Sequence, residues 1–281
     1  MHTTNTATLT ITILGSGTST GIPVVGCRCT VCRSQHPRNQ RTRSSVLLSC
    51  AGRNLLIDTS TDLRQQALRE DIRHIDAVLY THSHADHVHG IDDLRGFNVR
   101  GQEAIPLYAP PDTLNSLRRT FRYIFDRSDT SGYIPRLTLH PLTGPARILG
   151  LDIVPVPLIH GDQMTCGYRC GAMAYLTDCS AIPDSSLALL DNLELLILDG
   201  LRFRAHPTHF NIDQAVAVAQ AIGAGQTLLT HLSHDVDHPR HDPLLPKGIN
   251  LAYDGQRYSC EICLADPMIA TAPPTSRQAA S

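Results

Sequence analysis

Short apolar, β-branched runs recur along this chain, separated by polar and turn-forming stretches. Runs at 9–14, 45–50, 54–57, 77–80, 105–108, 151–156, 171–176, 195–198, 227–229 and 251–253 predict buried strands. Apolar positions spaced three and four apart predict helices over 62–69, 113–125 and 212–222, with Asn211 as the N-cap of the last. The result is a mixed α/β chain, rich in strand and without a measurable internal repeat.

Several of these runs end in a side chain that can hold or support a metal. The run 54–57 leads into Asp58, 77–81 into His82, and 171–177 into Asp178. The run 195–198 leads into Asp199 and 227–230 into His231, and the strand from Leu151 runs toward His160. Strands fix position, and the loops after them bring side chains together.

In Thr81-His82-Ser83-His84-Ala85-Asp86-His87, four strong ligand side chains fall within six residues. His82 and His84 are two apart, so on extended backbone they point the same way and can share a metal. A turn after them can aim Asp86 and His87 at a second one. Imidazole and carboxylate together suit Zn²⁺, Mn²⁺ or Fe. A solvated polar loop is the competing reading, but it does not account for the spacing or for the apolar strand that leads into the cluster.

Composition narrows the class. The 281 residues fit one domain, expected over 1–265, with an Ala/Pro/Ser/Gln-rich disordered tail over 266–281. A formal net charge of −2 asks for neither nucleic acid nor an anionic membrane. The first ten residues do not read as a secretory signal, and no apolar stretch approaches a membrane span, so a cytoplasmic protein is expected. In that setting nine cysteines point to metal ligands or buried thiols rather than disulfides, and fifteen histidines are unusual.

The motif His-x-His-x-Asp-His after a strand resembles that of the metallo-β-lactamase superfamily. This implies a four-layer αββα sandwich and a two-metal site. Carried over to this sequence, the resemblance gives metal one to His82, His84 and His160 (in "VPLIHG") and metal two to Asp86, His87 and His231 (in "LLTHLSH"). Asp178, in "YLTDCS", bridges, and Asp58, in "LLIDTS", accepts a hydrogen bond that orients a ligand histidine. The strings "ILGSGTSTGIP", "GCRCTVC", "HGIDDLRGFN" and "HPTHFN" look like the PhnP family of cyclic-phosphate phosphodiesterases, over about residues 8–254.

Cys27, Cys29 and Cys32 put three thiols within six residues, and His234, three residues after His231, is the candidate fourth ligand of a closed, structural Zn²⁺ site. Three reduced thiols are the alternative. Cys50, Cys166, Cys170, Cys179 and the Cys260/Cys263 pair read as ordinary buried thiols. His209 lies two residues before Asn211, at a helix start that favours anions, and can donate a proton near neutral pH. It matches the PhnP-family histidine that touches the substrate phosphate; His206 reads as a loop residue. Arg43 and Arg95 are weighed between phosphate contact and ordinary salt bridges, and Asp92 and Asp93 are read as capping or supporting residues.

The implied enzyme is a dinuclear phosphodiesterase acting on a small, cyclic phosphodiester such as a ribose cyclic phosphate. His209, Asp178 and Asp86 carry the catalysis, with two catalytic Zn²⁺ or Mn²⁺ and one structural Zn²⁺. A homodimer stays open; a nucleic acid polymer and a membrane are not expected partners. Rivals are a lactone or thioester hydrolase of the same fold, a tRNA-processing nuclease, which would need a basic RNA-gripping arm, and a non-catalytic metal-binding accessory protein.

Overall fold

The computed structural model describes residues 5–98, 103–126 and 133–264; the tail expected over 266–281 lies outside the described residues. One sheet contains β1 (Asn5–Gly15), β2 (Ser45–Cys50), β3 (Arg53–Ile57), β4 (Ala77–Leu79), β5 (Ile105–Ala109), β6 (Leu137–Pro141) and the last strand of the chain, β14 (Arg257–Leu264). The other contains β7 (Ala146–Ile148), β8 (Leu151–His160), β9 (Gln163–Cys170), β10 (Met173–Leu176), β11 (Leu195–Asp199), β12 (Gln226–Thr230) and β13 (Ile249–Leu251). Strand orders are β14-β1-β2-β3-β4-β5-β6 and β13-β12-β11-β10-β9-β8-β7.

The unbroken apolar runs follow from burial on both faces. Successive side chains on a strand point to opposite sides. Leu55, Ile57, Ala77, Leu79, Leu195 and Ile197 enter the layer between the sheets. Their neighbours Leu56, Val78 and Tyr80 pack outward with Leu63, Leu114 and Leu117 of the helices Leu63–Arg69 and Pro111–Thr120. Leu196 and Leu198 pack outward with Ile212, Ala215 and Ala219 of the helix Ile212–Ile222. Two sheets with helices on each outer face make the αββα sandwich.

The strands β3, β4, β5 and β6 run parallel, as do β10, β11, β12 and β13. Parallel strands present their carboxyl ends on one edge, where ligands collect in α/β folds. Asp58, His82, Asp178, Asp199 and His231 all lie at or just past such ends.

Differences from the pattern have local causes. The helix expected over 113–125 starts at Pro111 and breaks at Phe121 before a short turn Arg122–Phe125. The strand expected over 151–156 continues to His160, paired residue by residue with β9. The strand expected over 251–253 lies earlier, at Ile249–Leu251. β6, β7, β9 and β14 were not visible in the pattern. β6 and β7 are edge or near-edge strands with exposed polar positions, and β9 carries Gly167 and Arg169 among its apolar residues.

Candidate metal centre

Three of the strand-end residues adopt left-handed backbone. Asp58, Asp178 and His231 have φ of 63°, 53° and 58°. Such conformations cost roughly 1–3 kcal/mol each in a non-glycine residue, and they collect at functional sites. The loops are also pressed together. Gly90, just past the histidine motif, donates its N–H to Thr59 O at 3.0 Å, and a Cβ there would collide with the Ser60 carbonyl.

The acceptor around which the histidine motif is arranged is Asp58, fully buried. Its Oδ2 accepts from His87 Nδ1 at 2.7 Å and from the Thr81 hydroxyl at 2.8 Å, and its Oδ1 accepts from Thr81 N–H at 2.8 Å. With its proton committed to Asp58, Thr81 Oγ1 is left to accept from His82 Nδ1 at 2.9 Å. One carboxylate therefore sets the orientation of two imidazoles and leaves the Nε2 of both aimed elsewhere. These two Nε2 atoms are buried and without a hydrogen-bond partner, as are both ring nitrogens of His231. His160 is held the same way, its Nδ1 donating to Thr208 O at 2.7 Å.

The free nitrogens face carboxylates at 3.2–3.8 Å without making hydrogen bonds to them. His87 Nε2 lies 3.2 Å from Asp178 Oδ1 and 3.3 Å from Asp86 Oδ2; His231 Nε2 lies 3.5 and 3.6 Å from the same two oxygens. His82 Nε2 lies 3.8 Å from the other oxygen of Asp178, Oδ2. Ligand atoms each about 2.1 Å from one shared ion lie roughly 3–4 Å apart. Asp178 thus turns one oxygen toward His87 and His231 and the other toward His82. Asp86, His87, Asp178 and His231 form one set of donors, His82, His84 and Asp178 another, and His160 groups with Asp178 and His209. The orphaned buried nitrogens and the mixed imidazole–carboxylate donors fit divalent cations.

Charge gives the same result. Burial alone would push Asp178 up, but His231 and His87 hold it well below the usual carboxylate range. Asp86 is lowered too, against its burial, chiefly by His87. Burial works against a charged His231, yet Asp178 and Asp86 raise it to about 8. His87 is raised well above its ordinary value by Asp178, Asp86 and Asp58, again against burial. Burial and the neighbouring His87 push His82 well down. Protons on His87 and His231 balance the carboxylates here; a divalent cation can take their place.

His209 donates from Nδ1 to Asp199 Oδ2 at 2.7 Å, its ring stacked on His231 at 4.7 Å between centroids. The helix start behind it is capped by a complete box: Asn211 accepts from Gln214 N–H, and the Gln214 side chain accepts from Asn211 N–H. The sequence pattern singled out the helix terminus; the partner that fixes His209 is instead Asp199, at the end of β11. That run of apolar residues ending in Asp was the available signal. His206 is half-buried, 5.1 Å from the His209 ring. Arg43 and Arg95 are engaged in salt bridges, with Asp62 and Asp92, both at 3.0 Å. Asp92 also accepts from the Tyr123 hydroxyl at 2.9 Å.

Away from this centre, His234 Nδ1 lies 3.3, 3.6 and 3.6 Å from the sulfurs of Cys27, Cys29 and Cys32. A tetrahedral zinc with Zn–S of about 2.3 Å and Zn–N of about 2.0–2.1 Å puts nitrogen and sulfur about 3.6 Å apart. Although burial opposes it, the Cys32 N–H holds the Cys29 thiol down to about 7. Cys50, Cys166, Cys170, Cys179 and Cys260 are buried free thiols.

Residues 53–232 match the family model for the β-lactamase superfamily domain. The chain belongs to the metallo-β-lactamase superfamily. The fold is one that holds divalent metals. Within the superfamily the chain is similar to a solved diphosphatase from the PhnP family, 43% identical, covering 92% of this chain and 100% of that one at a TM-score of 0.87. It is 42% identical over 248 residues to a protein of Porphyromonas gingivalis named octanoyltransferase, covering 86% of this chain but half of that protein. It is 31% identical to the coenzyme PQQ synthesis protein B of Methylorubrum populi, covering 68% of this chain and 72% of that one. No described helix is long and apolar enough to cross a membrane.

Two outcomes test the metal sets of this superfamily member. Protein purified without chelator should contain about three metals per chain, and Cys29→Ser should remove about one and lower the melting temperature, because a structural metal contributes to folding. Unchanged metal content and melting in that variant would overturn the cysteine site. Protons give the second. His231, raised from 6.5 to about 8, adds stability that is complete below about pH 6.5 and is lost as pH rises through 8 in metal-free protein. The metal-free protein should lose stability over that window, the loaded protein should not, and metal uptake at neutral pH should release protons. Uptake without proton release contradicts the charge exchange.

Proposed function

We propose that the protein hydrolyses the P–O bond of a small phosphodiester, preferably a cyclic one such as a ribose cyclic phosphate. The observation that carries this reading is the division of Asp178, Oδ1 toward His87 and His231 and Oδ2 toward His82, beside the Asp199–His209 pair. In this reading His82, His84 and His160 hold one divalent cation, Asp86, His87 and His231 a second, and Asp178 both. Zn²⁺ or Mn²⁺ suits these donors. When bound, the pair supplies a water that ionises near neutral pH and positive charge for the phosphoryl oxygens.

The residues then divide the work. Asp58 and Thr81 lock the tautomers of His87 and His82, so that neither ring spends a lone pair elsewhere. Asp178 and Asp86 set the spacing of the two donor sets. Asp199 accepts from His209 Nδ1 and fixes the ring, which leaves Nε2 as the atom that can pass a proton to the leaving oxygen. The near-neutral charge supports a small substrate rather than a nucleic acid polymer.

A diphosphate linkage is the second reading, because the solved PhnP-family relative is a diphosphatase. Acyl substrates are the rival class, and the name of the octanoyltransferase relative makes a thioester worth including.

Purified metal-loaded protein should be tested on bis(p-nitrophenyl) phosphate, a 2′,3′-cyclic nucleotide, a ribose cyclic phosphate, a nucleoside diphosphate, a lactone and an octanoyl thioester. The diesters should turn over fastest; a faster lactone or thioester would move the assignment to an acyl hydrolase, and a faster diphosphate to the second reading. Asp178→Ala should lose metal and activity together. His209→Ala should keep its metals and lose about 10²–10⁴-fold in rate on a sugar alkoxide leaving group, but less on p-nitrophenolate, which leaves without a proton. Equal losses on both would reduce His209 to a phosphate contact.

A further inference from the structure

Among the described residues Arg41 is the largest fully buried side chain, 2% exposed, and none of their carboxylates touches it. Burial pushes its guanidinium down to about 10, so it is still a cation at neutral pH. A buried charge without a contacting counter-charge is costly and rare. Two of its bonds go to the backbone of one loop and a third to Asn39, while its Nε is buried without a hydrogen-bond partner. Nη1 donates to Ser233 O at 3.2 Å, and Nη2 to Val236 O at 2.8 Å and to Asn39 Oδ1 at 3.2 Å. Asn39 grips the same loop, its Nδ2 donating to Asp237 at 2.9 Å and its Oδ1 accepting from His238 N–H at 2.8 Å.

That loop carries His231 of one metal set and His234 of the other, three residues apart. The backbone of Arg41 is paired with Ile22, N–H to O in both directions at 2.9 and 2.8 Å. Ile22 packs with Val31 and Cys32, the floor of the cysteine cluster. Leu232, next to His231, is paired to Ser16 and Thr18 at the other end of the same segment. A continuous set of hydrogen bonds and apolar contacts therefore runs from the cysteines through Arg41 to His231.

We propose that Arg41 is a positioning residue that fixes the loop 231–238, so that metal binding at the cysteine site and at the His231 half of the dinuclear centre are coupled. The inference rests on the metal assignments of the proposed function. The His82, His84 and His160 half hangs on other strands and is independent of Arg41. Coupling is reciprocal: what strengthens one site through the loop strengthens the other by the same factor.

The test is a Co²⁺ titration of metal-free wild type, Arg41→Met, Arg41→Lys and Asn39→Ala, with the thiolate-to-metal absorption reporting the cysteine site and the ligand-field bands the dinuclear centre. Wild type should bind at all three positions; if it does not, the metal assignments themselves fail. In folded Arg41→Met the cysteine site and one dinuclear position should weaken by roughly 10–100-fold while the other dinuclear position keeps its affinity. Arg41→Lys should recover part of the loss. Three unchanged affinities, or an equal loss at all three, would overturn the proposal, since a merely structural role lowers melting without this selectivity. Should Arg41→Met not fold, Asn39→Ala reads the same loop, with the same selective pattern expected and unchanged binding overturning the proposal. Cys29→Ser approaches the loop from the other side and should weaken the same dinuclear position.

Discussion

Buried negative charge in need of a cation is the constraint on which this structure depends. Asp58, Asp86, Asp178 and Asp199 are all buried at the edge where the two sheets' parallel strands end. A buried carboxylate calls for positive charge or hydrogen-bond donors around it. Asp58 takes three donors and Asp199 takes His209 and the Cys179 N–H. Asp178 takes the Thr177 hydroxyl at 2.7 Å, and beyond that Asp86 and Asp178 face imidazole edges at 3.2–3.8 Å. That leaves them dependent on protons or on metal, and it makes the same cluster both a source of instability and a group of donors that fits a cation.

The fold accepts this arrangement because the two sheets hold it from opposite sides. His82 and Asp58 come from the first sheet, Asp178, Asp199 and His231 from the second, and the apolar layer between the sheets fixes their separation. The left-handed turns at Asp58, Asp178 and His231 are a local cost that a well-packed strand end can carry. Hydrogen bonding then selects the imidazole nitrogens. His82, His87, His160 and His209 each commit Nδ1 to a neighbouring acceptor, which leaves Nε2 for the centre. Asp199 and Asp58 hold His209 and His87 in the same way, each by a 2.7 Å contact to Nδ1.

Much of this was legible in the sequence for a physical reason. Strands buried on both faces are written as unbroken apolar runs, and a ligand placed at the end of such a run is visible in one dimension. The strands at 45–50 and 195–198, and the helix at 212–222, were found almost to the residue. β9 was not, because its polar residues and Gly167 dilute the pattern and its order comes from ladder bonds to β8. Asp199 was seen as a strand end, but its partner His209 is ten residues away and only the fold brings them to 2.7 Å. Thr81 looked like part of a motif, whereas its hydroxyl links Asp58 to His82. Arg41 gave no sequence signal, since nothing in one dimension marks an arginine as buried.

The bridging role proposed for Asp178 is tested most directly by electron paramagnetic resonance of protein loaded with Mn²⁺. Two ions sharing one carboxylate lie close enough to couple, so the spectrum should be that of an exchange-coupled pair, and it should collapse to isolated ions or free Mn²⁺ in Asp178→Asn. Two equivalents of bound Mn²⁺ with an uncoupled spectrum in the unaltered protein would contradict a shared carboxylate.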